Sequence, residues 1–150
     1  MIEVFFDGSC EPVNPGGTAW AGVVIYKSGV HWRSISRKVG TGDEMSNNVA
    51  EHAALLFALE SLAADGLEKE NIKIFGDSML VVKQMSNEWK LGKGLYLPYA
   101  IQTKKIAANF NNITFDWIPR EQNAEADALT RGDTPPDPLT SEYWKMFACA

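Results

Sequence analysis

The chain is poor in sulfur and histidine and has no long apolar run. Its two cysteines, Cys10 and Cys149, lie near opposite ends, and neither belongs to a CxxC pair. With His31 and His52 as the only histidines, no Cys/His cluster of zinc-site spacing exists. The cysteines can pair only if the fold brings the two ends together, so free thiols are expected. No apolar run approaches the roughly 18 residues that a membrane helix needs. The start, Met1-Ile2-Glu3-Val4, lacks a basic region followed by an apolar stretch, so no secretory signal is read and a soluble, cytoplasmic protein is expected. Repeats and low-complexity tracts are also missing. Basic residues are outnumbered, 14 Lys and Arg against 19 Asp and Glu, for a formal charge of −5. Taken as an average, that balance argues against a nucleic-acid binder, whose phosphate partner favours a basic surface.

What remains is an ordinary globular composition: 150 residues, 45% hydrophobic and 22% charged. That suits one domain with a sizeable core. Ile2 to Phe6 alternates like a strand and meets Asp7-Gly8-Ser9, read as a turn. Pro12 to Gly17 reads as a loop. Trp20–Tyr26 and His31–Val39 are the next strands, joined at Ser28-Gly29. Beyond Ser46-Asn47-Asn48, apolar residues at Ala54, Leu55, Ala58, Leu59 and Leu62 follow helical spacing, and Gly66 stops them. Asn71–Phe75 is a short strand ending at Gly76-Asp77-Ser78, and Met79–Met85 is a helix. Pro98 can open another helix running to about Asn109. Ile113–Ile118 is a last strand, and Asn123 can cap a helix reaching Arg131, ended by Gly132. The order βββαβα(α)βα predicts an α/β fold, a mixed sheet with helices on its faces. Residues 1–132 form the expected domain, and 133–150 form a Pro-rich tail, with Tyr143, Trp144 and Phe147, that can pack on it.

Four acids occupy suggestive places. Asp7 and Asp77 each follow a predicted strand, and ligands of open α/β sheets gather at the carboxyl ends of strands. Glu51 shares a stripe with Leu55, Ala58 and Leu62, so it points inward. Asp127 lies on the Ala124/Ala128 face of the last helix. An inward acid needs compensation, because an unpaired buried charge is very costly. A divalent cation supplies it, and four oxygen donors without a soft ligand suit Mg²⁺ or Mn²⁺. Two such ions, roughly 3.5–4 Å apart, can activate a water and stabilise the leaving oxygen of a phosphodiester. Singly, each acid also has a plainer role: turn residue, helix cap, dipole partner, or i,i+4 partner of Arg131.

The sequences around these acids, taken in order, carry more weight than any one of them. Asp7-Gly8-Ser9-Cys10, Asn14-Pro15-Gly16-Gly17, Ser46-Asn47-Asn48-Val49-Ala50-Glu51, Gly76-Asp77-Ser78 and the run from Trp117-Ile118-Pro119-Arg120 to Asp127 resemble the type 1 ribonuclease H family, in order and spacing, over about Ile2 to Arg131. The resemblance implies a five-stranded mixed sheet with flanking helices, the ribonuclease H-like fold. It implies endonucleolytic hydrolysis of the RNA strand of RNA–DNA hybrids, leaving a 5′-phosphate and a 3′-hydroxyl, with two Mg²⁺ held by Asp7, Glu51, Asp77 and Asp127. Mn²⁺ is the alternative ion. Asn14 and Asn47 match positions that contact the RNA strand near its 2′-hydroxyls, where an amide can both donate and accept. Ser46 stands where the family often has Thr, which the resemblance implies is a pocket for a DNA phosphate, and a hydroxyl at a helix N-terminus suits an anion. No obligate protein partner is implied, and a monomer is expected.

The chain also departs from that pattern. Many members carry a histidine in the loop before the last acid; here the loop is Arg120-Glu121-Gln122-Asn123. Arg120 cannot serve as a base at neutral pH, and neutralising a leaving phosphate is its expected role. The long basic protrusion of larger members is missing too. In its place Trp89, Lys90 and Lys93 can stack on sugars and meet DNA phosphates, or Trp89 can be a core residue beside solvated lysines. Lys83, Lys104 and Lys105, also from the second half, can add to a local phosphate-facing surface. A non-catalytic binding module would have lost a metal ligand, and none is lost. A junction resolvase with a similar acidic cluster would not require the paired asparagines. Two bound divalent ions would cancel most of the −5, so the acidic average does not exclude a nucleic-acid enzyme.

Overall fold

The computed structural model describes residues 1–131. Packing of the Pro-rich tail and pairing of Cys10 with Cys149 fall outside the described residues. Three long strands open the chain: β1 (Ile2–Glu11), β2 (Thr18–Lys27) and β3 (Val30–Thr41). They are followed by α1 (Asn47–Ala64), β4 (Asn71–Gly76), α2 (Met79–Met85), α3 (Leu97–Ala107), β5 (Asn112–Trp117) and α4 (Ala124–Ala128), the last preceded by a 3₁₀ turn at Arg120–Gln122.

The strands form one sheet in the order β3-β2-β1-β4-β5. The first three pair antiparallel, while β4 pairs parallel with both β1 and β5. This is the five-stranded mixed sheet expected from the sequence. Ser28 and Gly29, with φ of 51° and 79°, supply the two left-handed residues of a tight turn whose twist matches the β2–β3 hairpin.

Ile2, Val4 and Phe6 of β1 are buried together with Val23 and Ile25 of β2 and Ile72 and Ile74 of β4. Helix α1 covers this face. Ser46 Oγ accepts from Val49 N at 3.1 Å and starts the helix, satisfying one of its free amides. Ala50, Ala54, Leu55, Ala58, Leu59 and Leu62 are fully buried along it. Each leucine removed from water contributes about 1.5–3 kcal/mol. At the far end of the helix, Arg33 of β3 pairs with Asp65 at 2.7 Å.

Two elements differ from the sequence reading. Strand β1 does not turn at Asp7-Gly8 but runs on to Glu11, because β2 pairs with it through Glu11↔Thr18. The last helix stops at Ala128 instead of Arg131. Thr130 explains this: its N–H and its Oγ1 both donate to Asp127 O, at 3.0 and 2.7 Å, closing the helix with a tighter turn.

Candidate active site

The sheet register puts Asp7 beside Asp77. Parallel pairing of β1 with β4 ends at Phe6↔Gly76, so the next residue of each strand is an aspartate at the same edge. Helix α1 then brings Glu51 to them. Its approach needs the bare Gly8, since a Cβ there would overlap the backbone of Ala50 and Glu51. A second bare position, Gly22 of β2, admits α4 by the same logic: a Cβ would overlap Ala126 O. Asp127 of α4 thereby reaches the same cleft.

Carboxylate oxygens of Asp7, Glu51 and Asp77 lie within 4.8 Å of one another. Asp127 stands at their margin, bonded to Asp7 and ion-paired with Arg131 at 3.1 Å and Arg120 at 3.9 Å. Its i,i+4 partnership with Arg131 therefore coexists with a place in the cleft. Asp7 is only 6% exposed. Burial, then the charge of Asp77, then the bond to Asp127 push its carboxyl up to about 8. Burial pushes Glu51 up to about 7, against a lowering hydrogen bond from Ser78 and with a further rise from Asp77. Acids raised in this way are groups held close without counter-charge, and a divalent cation is the counter-charge that hard oxygen donors accept best. Asp7, Glu51 and Asp77 thus form a cluster that fits a divalent cation, with Asp127 lining the same cleft.

One residue of this site escaped sequence reasoning in its real role. Asn123, 1% exposed, does not cap α4 with its side chain. Its Nδ2 donates to Phe6 O at 2.9 Å and to Asp77 Oδ2 at 3.3 Å, tying β1, Asp77 and α4 together. Trp117 likewise donates from Nε1 to Asp77 O at 3.1 Å. The available signal was a lone amide and an indole flanking an acid-rich segment, which local patterns assign to a cap and a strand.

The cleft of about 340 Å³ is lined by all four acids together with Asn47 and Arg120. Asn47 Oδ1 accepts from Cys10 N at 2.7 Å, and its own N–H donates to Asn14 Oδ1 at 2.9 Å. The two asparagines therefore hold the loop after β1 against the start of α1. Ser46, one residue earlier, acts as the helix cap. Trp89 and Lys90 follow α2 and do not line the cleft. Trp89 is 47% exposed, which removes the core alternative for it. His52, next to Glu51, is fully buried, and burial pushes it down to about 4, so it stays neutral. No helix among the described residues is long and apolar enough to cross a membrane.

The family model described as Reverse transcriptase-like matches residues 5–132. The chain is 31% identical over 116 residues to the Bifunctional protein Rv2228c of Mycobacterium tuberculosis, covering 77% of this chain and 31% of that protein. It thus spans about a third of such longer relatives. With Ribonuclease HI of Halobacterium salinarum it shares 30% identity over 128 residues, 85% of this chain and 61% of that one. Among solved structures, LC11-RNase H1 from compost, in complex with an RNA/DNA hybrid, superposes with a TM-score of 0.77 at 32% identity, over 86% of this chain and 93% of the other.

Proposed function

The chain belongs to the type 1 ribonuclease H family, and from that premise we propose that it hydrolyses the RNA strand of RNA–DNA hybrids at the Asp7–Glu51–Asp77–Asp127 cleft. The observation that carries the proposal is the convergence of three carboxylates within 4.8 Å, with the fourth beside them, at the strand edge where the fold leaves an open cleft. Two Mg²⁺ ions, or Mn²⁺, would supply a strongly polarised water and charge neutralisation at the phosphodiester. The protein's own groups do the rest. Asp7, Glu51, Asp77 and Asp127 would hold the cations. Asn14 and Asn47 present amides toward the RNA strand, whose 2′-hydroxyl is recognised and is not the nucleophile.

Arg120, 79% exposed at its side chain and already 3.9 Å from Asp127, neutralises the departing phosphate at the rim. Ser46, at the N-terminus of an 18-residue helix, accommodates a DNA phosphate. Trp89 and Lys90 meet the DNA strand outside the cleft, by stacking and by charge. Residues 1–132 constitute the catalytic domain, followed by the Pro-rich tail. All four acids come from one chain, so a monomer suffices, and the cytoplasm is its proposed setting.

A substrate panel tests this. End-labelled RNA in an RNA–DNA hybrid should be cut internally in Mg²⁺, leaving 5′-phosphate and 3′-hydroxyl ends. The same RNA alone should persist. Equal cleavage of free RNA, or cyclic phosphate ends, would overturn the hybrid-directed reading.

A further inference from the structure

Beneath the loop that carries Trp89 and Lys90 lies a buried polar chain that the chemistry above does not use. His52 of α1 is 0% exposed, Gln84 of α2 3% and Tyr96 7%. Gln84 Oε1 lies 3.2 Å from His52 Nε2, which therefore donates to it. Gln84 Nε2 donates to Tyr96 OH at 3.2 Å and, at a longer 3.5 Å, to Lys90 O. Tyr96 OH accepts again from Gly92 N at 2.8 Å. The Tyr96 ring stacks on His52 with centroids 4.7 Å apart and planes 22° from parallel.

Filling this space with apolar side chains would avoid every desolvation penalty. What the polar chain achieves instead is to satisfy two backbone groups, Lys90 O and Gly92 N, of a segment between α2 and α3 that has no ladder of its own. The same segment lies directly on Tyr96: a Cβ on Gly94 would stand 2.8 Å from its ring, and one on Gly92 3.6 Å from its hydroxyl. Its outer side is open, with Trp89 47% and Leu95 54% exposed. Glu51 and His52 are consecutive on α1, one turned to the acidic cleft and the other to this chain. One rigid helix therefore sets the spacing between the cleft and the loop.

We propose that Tyr96, oriented by Gln84 and His52, is a positioning residue that seats the Lys90–Gly94 loop for the DNA strand of the substrate, at a distance from the acids set by α1. This rests on the hybrid-cleaving function proposed above. The loop then acts in binding and not in bond cleavage, so its unseating should appear in KM.

The test compares wild type with Tyr96→Phe, which keeps the ring and removes the hydroxyl, and with Gly94→Ala, which pushes the loop off the ring. Both are assayed for KM and kcat on an RNA–DNA hybrid in Mg²⁺, for Mn²⁺ binding by calorimetry, and for exchange of the Gly92 amide. Tyr96→Phe should raise KM about 5–10-fold, with kcat within about twofold and ion affinity unchanged, as expected when one hydrogen bond that fixes a binding element is lost. Gly92 exchange should quicken, and in a Trp89→Ala background the same change should add little. A folded Tyr96→Phe protein with wild-type KM, a fall in kcat alone, or full additivity with Trp89→Ala would overturn the proposal while leaving the ribonuclease function intact. Absence of hybrid cleavage by the wild type would defeat both.

Discussion

Replacing Asp7 by Asn should make the metal-free protein more stable while removing a carboxylate that the proposed hydrolysis uses. Asp7 is buried among Glu51, Asp77 and Asp127, and its carboxyl is raised from 3.8 to about 8. An acid whose folded value lies above its unfolded one binds its proton more tightly when folded. Below pH 4 both states are protonated and nothing is lost. As pH rises from about 4 to about 8 the unfolded chain releases the proton and the folded chain does not, so stability falls by about 1.4 kcal/mol per pH unit. At pH 7 that amounts to at most about 4 kcal/mol, and sharing of the charge with Asp77 and Glu51 brings it nearer 2. Asn keeps the shape, cannot ionise, and can donate to Asp77 or Asp127. Thermal unfolding in EDTA should show Asp7→Asn melting about 5–10 °C above wild type at pH 8 and close to it at pH 4, given roughly 2–4 °C per kcal/mol for a chain of this size. Saturating Mg²⁺ should raise the wild-type melting point and narrow that gap. A variant that melts lower than wild type at pH 8, or a gap independent of pH, would refute the account of Asp7 as an uncompensated buried acid.

Three further substitutions probe how the cleft is assembled. Gly8→Ala places a Cβ into the backbone of Ala50 and Glu51, and should cost about 2–4 kcal/mol in urea unfolding and abolish hybrid cleavage by displacing α1. Asn123→Ala leaves Phe6 O unpaired in the core and frees Asp77; a loss of about 1–3 kcal/mol with weakened Mg²⁺ binding by calorimetry is expected. Arg120→Ala removes an exposed cation near Asp127 and should leave the melting point unchanged while lowering multiple-turnover cleavage severalfold relative to the first turnover; unchanged turnover would exclude its part in releasing phosphate.

Much of the fold could be read from local pattern. Alternation in Ile2–Phe6 and the apolar stripe from Ala54 to Leu62 each report burial against a single neighbour, and burial is what local periodicity encodes. Asp7-Gly8 departs from its local pattern for the complementary reason. That dipeptide signals a turn when only neighbours in sequence are considered, but here Gly8 serves a helix about forty residues away, which local pattern does not carry. Asn123 likewise has the local pattern of a helix start, while its side-chain partners lie 117 and 46 residues distant. Positions of the four acids could be anticipated because strand ends and helix stripes are local features. The links that hold them in place, and the His52–Gln84 pair 32 residues apart, depend on packing between elements.

Side-by-side rates for wild type and Asp7→Asn on one RNA–DNA hybrid, in Mg²⁺ and in EDTA, bear most directly on the claim that the acidic cleft is a metal-dependent hydrolytic centre. Wild type should cleave in Mg²⁺ and stop in EDTA. Asp7→Asn, folded and at least as stable, should cleave at least about a hundredfold more slowly than wild type in Mg²⁺ and not at all in EDTA, as is typical when a group that acts on the transition state is lost. Wild-type cleavage that persists in EDTA, or an Asp7→Asn rate equal to wild type in Mg²⁺, would contradict it.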